Sequence, residues 1–439
     1  MPTSEPTSPG AVVADYESAR PLDPWLKGLP AKQPRDPSPT ATSIAASGGD
    51  LFDIAVRTPF AVLRSSAVTT NIEEMARFCA EHSLSLAPHA KTTMSPQLVG
   101  EQLSAGAWAA TAALPVQVER LWDFGVGRVL LANEVADPTA MGRLGAGLDA
   151  DRRRALLCFV DSPAGVALAE NGLRDAATTV PVEVLVDVGH AHGRTGARSR
   201  EQVVDVARAV ARAPHLRLTG VGGYEGTISS VRDDTSTQQV DRYLTTLRET
   251  LAELLAMGLV DAAHPVVSAG GSIWFDRVAA VLGPLAVDGT TRVVTRSGCY
   301  VTHDHGMYAD AVPRRGADSD SMLPTFRPAL EVWARVVSRP EPGLAIVDAG
   351  RRDLSHDAGL PRPLTARRPD GRQVDLGTAT VGSLSDQHAF VTVAAQSTLA
   401  VGDLVGLGIS HPCTTFDRWP LLLRVDDDDR VVGVVRTYF

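Results

Sequence analysis

Several things are scarce in this 439-residue chain, and each scarcity excludes something. Its four cysteines, at 79, 158, 299 and 413, show no CxxC pairing, which argues against a disulfide scaffold and for a reducing cytoplasm. No apolar run approaches the roughly 18 residues that cross a bilayer. The opening MPTSEPTSPG has neither a cationic stretch nor an apolar core, so no secretion signal is expected. Lysine and arginine nowhere cluster and the net charge is −9, so a phosphate backbone finds nothing to hold it. The expectation is a cytoplasmic protein with a small-molecule partner, neither nucleic acid nor membrane.

What is present is length: more than one ordinary core, enough for a barrel of about 250 residues with an added domain. Residues 1–50 are rich in Pro, Ser, Ala and Thr and read as a partly flexible arm, with LDPWLKGLP as a segment that could dock. A strand, TPFAVLR, is expected at 58–64. TTNIEEMARFCAEHS (69–83) follows with Ile72, Met75, Ala76, Cys79 and Ala80 at helical spacing. Apolar, β-rich runs then recur at 85–91, 107–114, 128–135, 155–162, 180–189, 216–226, 264–272 and 291–301. Helical patterns separate them, most clearly at 199–213 and 236–258. Strands buried on both faces and spaced by helices are the mark of parallel βαβ units. Eight in succession predict an α/β fold, a (β/α)8 TIM-type barrel over 51–305, although an open doubly wound sheet has a similar pattern. The 58–64 strand could pack with either half of the chain. From 306 to 439 short strands joined by Gly, Pro and Asp turns predict a C-terminal all-β domain. Within it, Asp426–Asp429 reads as a solvated hairpin turn rather than a metal site.

Function in such a barrel collects at the C-terminal ends of the strands. Lys91 closes the first run, in PHAKT. DVGHAHGRTG closes the fifth, GGYEG the sixth, SAGGS the seventh and TRSGCY the eighth. Glycine lets backbone N–H groups approach an anion, so Gly270, Gly271 and Ser272 could cradle a phosphate, with Gly298 and Cys299 completing the ring. A lysine facing such a cradle suggests a Schiff base to pyridoxal phosphate (PLP), the amine being made neutral by partial burial. A phosphorylated sugar would suit the same groups. Downstream, GLGISHPCTTFDRW places His411 and Cys413 one residue apart in a strand-like run, so both could face one way and bind a metal. A buried apolar thiol beside a satisfied histidine is the plainer alternative, since HxC is a common spacing. For His388, in SDQHAF, a structural role comes first.

In order along the chain, TPFAVL, PHAKT, DVGHAHGRTG, GGYEG, SAGGS, SGCYVTHD, LSHDAGLP, SDQHAF and SHPC resemble the D-serine dehydratase and D-threonine aldolase group. These are PLP enzymes of the alanine-racemase-like fold. The resemblance implies a PLP barrel with a β domain, paired as a homodimer. It makes Lys91 the Schiff-base lysine and the base at Cα, and puts His89 beside the cofactor. Arg194 would lie near the ring oxygen, Tyr224 near the ring, and Arg296 against the pyridine nitrogen. Gly270, Gly271, Ser272, Gly298 and Cys299 would hold the phosphate. His411 and Cys413 match the metal pair of the dehydratase branch, where the aldolase branch tends to have Asp at the second position; zinc is the expected cation. The chain departs from the group at Ala87, Thr93 and Thr227, and where an SDEHG-like segment reads Asp386-Gln387-His388-Ala389, resembling a sub-branch of amino-acid deaminases. The function implied is dehydration of a D-serine-like 3-hydroxy amino acid to a 2-oxo acid and ammonia. Aldol cleavage to glycine and an aldehyde is the nearest rival, and a non-catalytic PLP carrier a more distant one.

Overall fold

A computed structural model describes residues 57–287, 289–312 and 323–439, with Lys27, Thr40 and a few positions between 43 and 53. The expected arm falls mostly outside the described residues. Lys27 is the exception in LDPWLKGLP: its ammonium pairs with Asp353, donates to the Arg352 carbonyl at 3.1 Å and stands 3.9 Å over the Trp419 ring.

The first strand, β1 (Phe60–Arg64), precedes eight short parallel strands. These are β2 (Ser85–Leu86), β3 (Ala110–Ala112), β4 (Arg128–Glu134), β5 (Ala155–Val160), β6 (Val182–Asp187), β7 (Leu216–Gly222), β8 (Val266–Ala269) and β9 (Arg292–Thr295). Each lies inside one of the eight apolar runs. They order as β2-β9-β8-β7-β6-β5-β4-β3. The two ends meet: Leu86 O accepts from Trp108 N at 2.7 Å, and His89 bridges Thr111 in parallel, closing the ring.

Both faces of these strands are buried, which is why the sequence shows continuous apolar runs rather than alternation. Leu130, Leu157, Phe159 and Leu185 fill the barrel interior. Their neighbours Val129, Leu131, Leu156, Cys158, Val160, Val184 and Val186 face the surrounding helices. Helix entries are set by local chemistry. Proline occupies the first turn of Pro96–Ser104, Pro115–Asp123, Pro138–Ala150 and Pro163–Asp175, with Asp137 and Ser162 capping the last two. Ser199 and Gln202 form a reciprocal capping box on Arg200–Val210.

The second sheet carries β10 (Leu330–Glu341), β11 (Leu344–Val347), β12 (Arg362–Arg367), β13 (Gln373–Val374), β14 (Thr380–Leu384) and β15 (Ala389–Thr392). It continues with β16 (Leu404–Gly408), β17 (Leu421–Val425) and β18 (Val431–Arg436). The order is β13-β12-β16-β10-β1-β17-β18, with β11, β15 and β14 branching from β10. So β1 sits inside this sheet, antiparallel to β10 and parallel to β17, rather than in the barrel. Arg64 at its end donates to Glu331 at 2.9 and 3.0 Å and also to Asp429. Asp429 is only 8% exposed and takes Arg367 as well, so the acidic hairpin is not wholly solvated as its composition suggests: one of its four carboxylates is a buried anchor.

Candidate active site

The strand ends bring the candidate residues to one rim. Lys91 departs from expectation in two ways. β2 stops at Leu86, so Lys91 sits in a single turn, Ala90–Thr92, and its side chain is exposed rather than partly buried. His89, one residue before that turn, has its imidazole packed inside, with Nδ1 buried and unpartnered. Burial first, then the charges of Lys91, Arg296 and Arg194, hold it well below the usual histidine range, so the ring is neutral.

Arg296 follows β9 and is buried. It donates to Ser268 Oγ and to the Gly223 carbonyl, both at 2.6 Å, and its guanidinium lies 5.4 Å from the Phe159 ring centre. Desolvation lowers its pKa, and Glu225 and Asp187 nearby offset that only in part. Arg194 is exposed in the loop after β6, its guanidinium 5.5 Å from the centre of the Tyr224 ring. The Tyr224 hydroxyl is pushed up to about 12 by burial first and then by Glu225.

The glycine-rich turns adjoin one another, but two of their amides are already engaged. Gly270 has φ +102°, and a Cβ there would come within 2.6 Å of Thr295 Oγ1. The N–H groups of Gly270 and Gly271 already donate to the carboxylate of Glu225, at 2.9 and 2.6 Å. Expected to meet a phosphate, these two amides instead neutralise a fully buried Glu225, which could not sit there unpaired. The cradle left beyond Glu225 is Ser272, Gly298 and Cys299, where the Cys299 N–H donates to Ser272 Oγ at 3.2 Å. At Gly298 a Cβ would fall 2.7 Å from both His89 O and Thr92 Oγ1, so only glycine lets this turn close on the lysine turn.

His411 and Cys413 do converge, though not along a strand. β16 ends at Gly408, and Pro412 turns the chain into the short helix Cys413–Phe416. Among the described residues, Cys299, His411 and Cys413 place ligand-type atoms within 4.8 Å of one another. Cys299 Sγ is 3.3 Å from Cys413 Sγ. His411 Nδ1 donates to Asp357 at 2.7 Å, which leaves Nε2 for a ligand; Thr414 holds the other Asp357 oxygen at 2.6 Å. Burial works to lower the His411 pKa, but Cys413 and Asp357 outweigh it and push it up to about 9. The Cys413 thiol is held well below its usual range by hydrogen bonds from Cys299 and His411, against desolvation.

Three residues here escaped the sequence reading. Asp357 lies inside the quoted LSHDAGLP and Glu225 inside GGYEG, but nothing local distinguishes either from a loop carboxylate. Thr92 follows the lysine directly, and its hydroxyl is 3.4 Å from Cys413 Sγ. His388, by contrast, is exposed in the turn between β14 and β15.

Comparison with known proteins agrees with this architecture. Residues 63–278 match the family model of the alanine racemase N-terminal domain, and 329–425 match the "putative serine dehydratase domain". Two curated relatives are 3-hydroxy-D-aspartate aldolase of Paracoccus denitrificans and D-threo-3-hydroxyaspartate dehydratase of Delftia sp. The first is 28% identical over 70% of this chain and 75% of the relative, the second 29% identical over the same shares. The crystal structure of D-threonine aldolase from Filomicrobium marinum superimposes with a TM-score of 0.74. It covers 87% of this chain and 95% of that one at 24% identity. The fold is thus alanine-racemase-like. Along that fold the chain matches both family models in succession, and its relatives include aldolases and a dehydratase of D-3-hydroxy amino acids. No helix among the described residues is long and apolar enough to cross a membrane.

Proposed function

We propose that this protein is a PLP- and divalent-metal-dependent dehydratase of D-3-hydroxy amino acids, releasing a 2-oxo acid and ammonia. Its coarser class, a lyase of this fold, follows from the relatives. One contact carries the finer reading: Thr92, next to Lys91, hydrogen-bonds the Cys413 sulfur, so the lysine turn abuts the group that would hold the metal.

The residues fit both groups. The unpartnered His89 Nδ1, the buried Arg296 and the remaining cradle of Ser272, Gly298 and Cys299 suit a phosphorylated aromatic cofactor. PLP bound there supplies an electron sink for charge left at Cα. A divalent cation held by His411 and Cys413 supplies Lewis acidity toward a β-hydroxyl, a poor leaving group by itself. The rest is the chain's own work. Lys91 Nζ, accessible at the rim, takes the Cα proton. Arg296 keeps a fixed positive charge at the barrel mouth, held by Ser268 and the Gly223 carbonyl. Asp357 accepts the Nδ1 proton of His411 and so keeps Nε2 turned to the cation. The thiolate of Cys413 favours zinc over cations that prefer oxygen. The same reading takes the enzyme as a cytoplasmic homodimer.

Aldol cleavage is the second reading, favoured by the similarity to aldolases. Incubating the protein with D-serine, D-threonine and D-threo-3-hydroxyaspartate, and measuring ammonia against glycine, separates the two. A 2-oxo acid with one equivalent of ammonia is expected; glycine with an aldehyde and no ammonia overturns dehydration. A purified-protein absorption band near ~420 nm, lost in Lys91→Ala, is expected for lysine-bound PLP.

A further inference from the structure

The Cys299 thiol has no part in the reading above. Its backbone N–H belongs to the cofactor cradle, donating to Ser272 Oγ. Its side chain points the other way, to within 3.3 Å of Cys413 Sγ and into the group that includes His411. Two sulfurs bound tetrahedrally to one zinc at about 2.3 Å stand about 3.8 Å apart, so a small opening of this pair seats both.

We propose that Cys299 is a third protein ligand of the metal centre, making a site of one imidazole and two thiolates with one position left open. This rests on the metal reading above and goes beyond it, by fixing the ligand number and the class of cation. The surroundings of the two sulfurs support it. Thr92 Oγ1 lies 3.4 Å from Cys413 Sγ and 3.8 Å from Cys299 Sγ, and the Tyr308 hydroxyl hydrogen-bonds Cys299. Hydroxyls gathered around a pair of sulfurs are what outer-shell partners of bound thiolates look like. The other two cysteines differ: Cys79 and Cys158 are buried among apolar core side chains.

Two consequences follow. Two thiolates and an imidazole select zinc over magnesium, manganese or calcium, which prefer oxygen donors. Three protein ligands also leave a single coordination position, the arrangement of a catalytic rather than a structural zinc. Cys299 then serves both groups at once, its amide toward the phosphate cradle and its thiol toward the metal.

The test uses the PLP-loaded protein in a non-thiol reductant, stripped of metal with a chelator and refilled with Co²⁺ or Zn²⁺. Thiolate-to-cobalt charge transfer counts the sulfurs directly. Cys299→Ser and Cys299→Ala should each give about half the wild-type intensity, as should Cys413→Ser. Zinc affinity, read by competition with a chromophoric chelator, should fall more than about 100-fold in Cys299→Ser, beyond the usual outer-shell loss. The ~420 nm cofactor band should persist, since the backbone amide is kept. Wild-type intensity and affinity in both Cys299 variants, with loss in His411→Ala and Cys413→Ser, would overturn the third ligand and leave the two-ligand reading standing. A wild-type protein that takes up neither cation would sink both. If the variants fail to fold, X-ray absorption on the wild-type zinc protein still decides: two sulfur neighbours support the proposal, one refutes it.

Discussion

At the scale of single residues, the group proposed to hold the metal is a set of charges held in balance. His411 is raised to about 9 while Cys413 is depressed, so without metal the two form an imidazolium–thiolate pair. A raised histidine contributes stability that is complete below its unfolded value of about 6.5 and is lost as pH climbs through the folded one. A depressed thiol contributes stability present above about 8.5 and lost as pH falls through its folded value. Between these limits the folded and unfolded chains bind equal protons at the pair, and the two slopes cancel. Chelated wild-type protein should therefore show a plateau in this contribution to its melting temperature between about 6.5 and about 8.5. In Cys413→Ser the histidine loses the partner that does most to raise it, so the slopes on both sides of the plateau should flatten; identical profiles would refute the pairing. Asp357 acts one step further out. Asp357→Ala frees the imidazole to turn, and metal affinity should drop about 10- to 100-fold in a chelator competition, with the cofactor band unchanged.

Among elements, the short turns between strands and helices matter more than the strands. The turn at Gly298 closes on the turn at Lys91 so tightly that a methyl group would lie 2.7 Å from a carbonyl oxygen that cannot step aside. Gly298→Ala should cost about 1–3 kcal/mol as overpacking and spread the cradle. A PLP titration followed near ~420 nm should then need several-fold more cofactor. Unchanged affinity would show that this turn does not carry the phosphate. The same turns explain what was legible beforehand. All eight barrel strands stood out because residues such as Leu130 and Val129 are buried on opposite faces, leaving uninterrupted apolar runs. Lys91, His411 and Cys413 were visible as chemistry in unusual company. The strand expected through His411 and Cys413 was not there because Pro412 starts a helix. Glu225 claimed two amides of the expected cradle, an event with no local signature. The place of β1 also depends on partners far along the chain, at Leu330–Trp333 and Leu423–Val425.

Across the whole molecule, the site is a joint between the two sheets. Lys91, Thr92 and Cys299 follow barrel strands, while Asp357, His411 and Cys413 hang from the second sheet. Hydrogen bonds cross the same seam: His305 N donates to Ile409 O at 3.0 Å, and the side-chain amide of Asn71, on the helix after β1, donates to the Arg327 carbonyl at 2.8 Å. A cation bound in this joint contacts both halves, so its binding energy belongs to the folded whole rather than to one sheet. Zinc at a hundred times its dissociation constant adds about 2.7 kcal/mol to a state that binds it only when folded. Calorimetry of the PLP-loaded protein should therefore show the melting transition of both sheets moving up together by several degrees when zinc is added, with no shift in His411→Ala. Were the trace to split, with only one transition following zinc, the metal would be held by the second sheet alone. Thr92 and Cys299 would then be neighbours of the centre rather than parts of it.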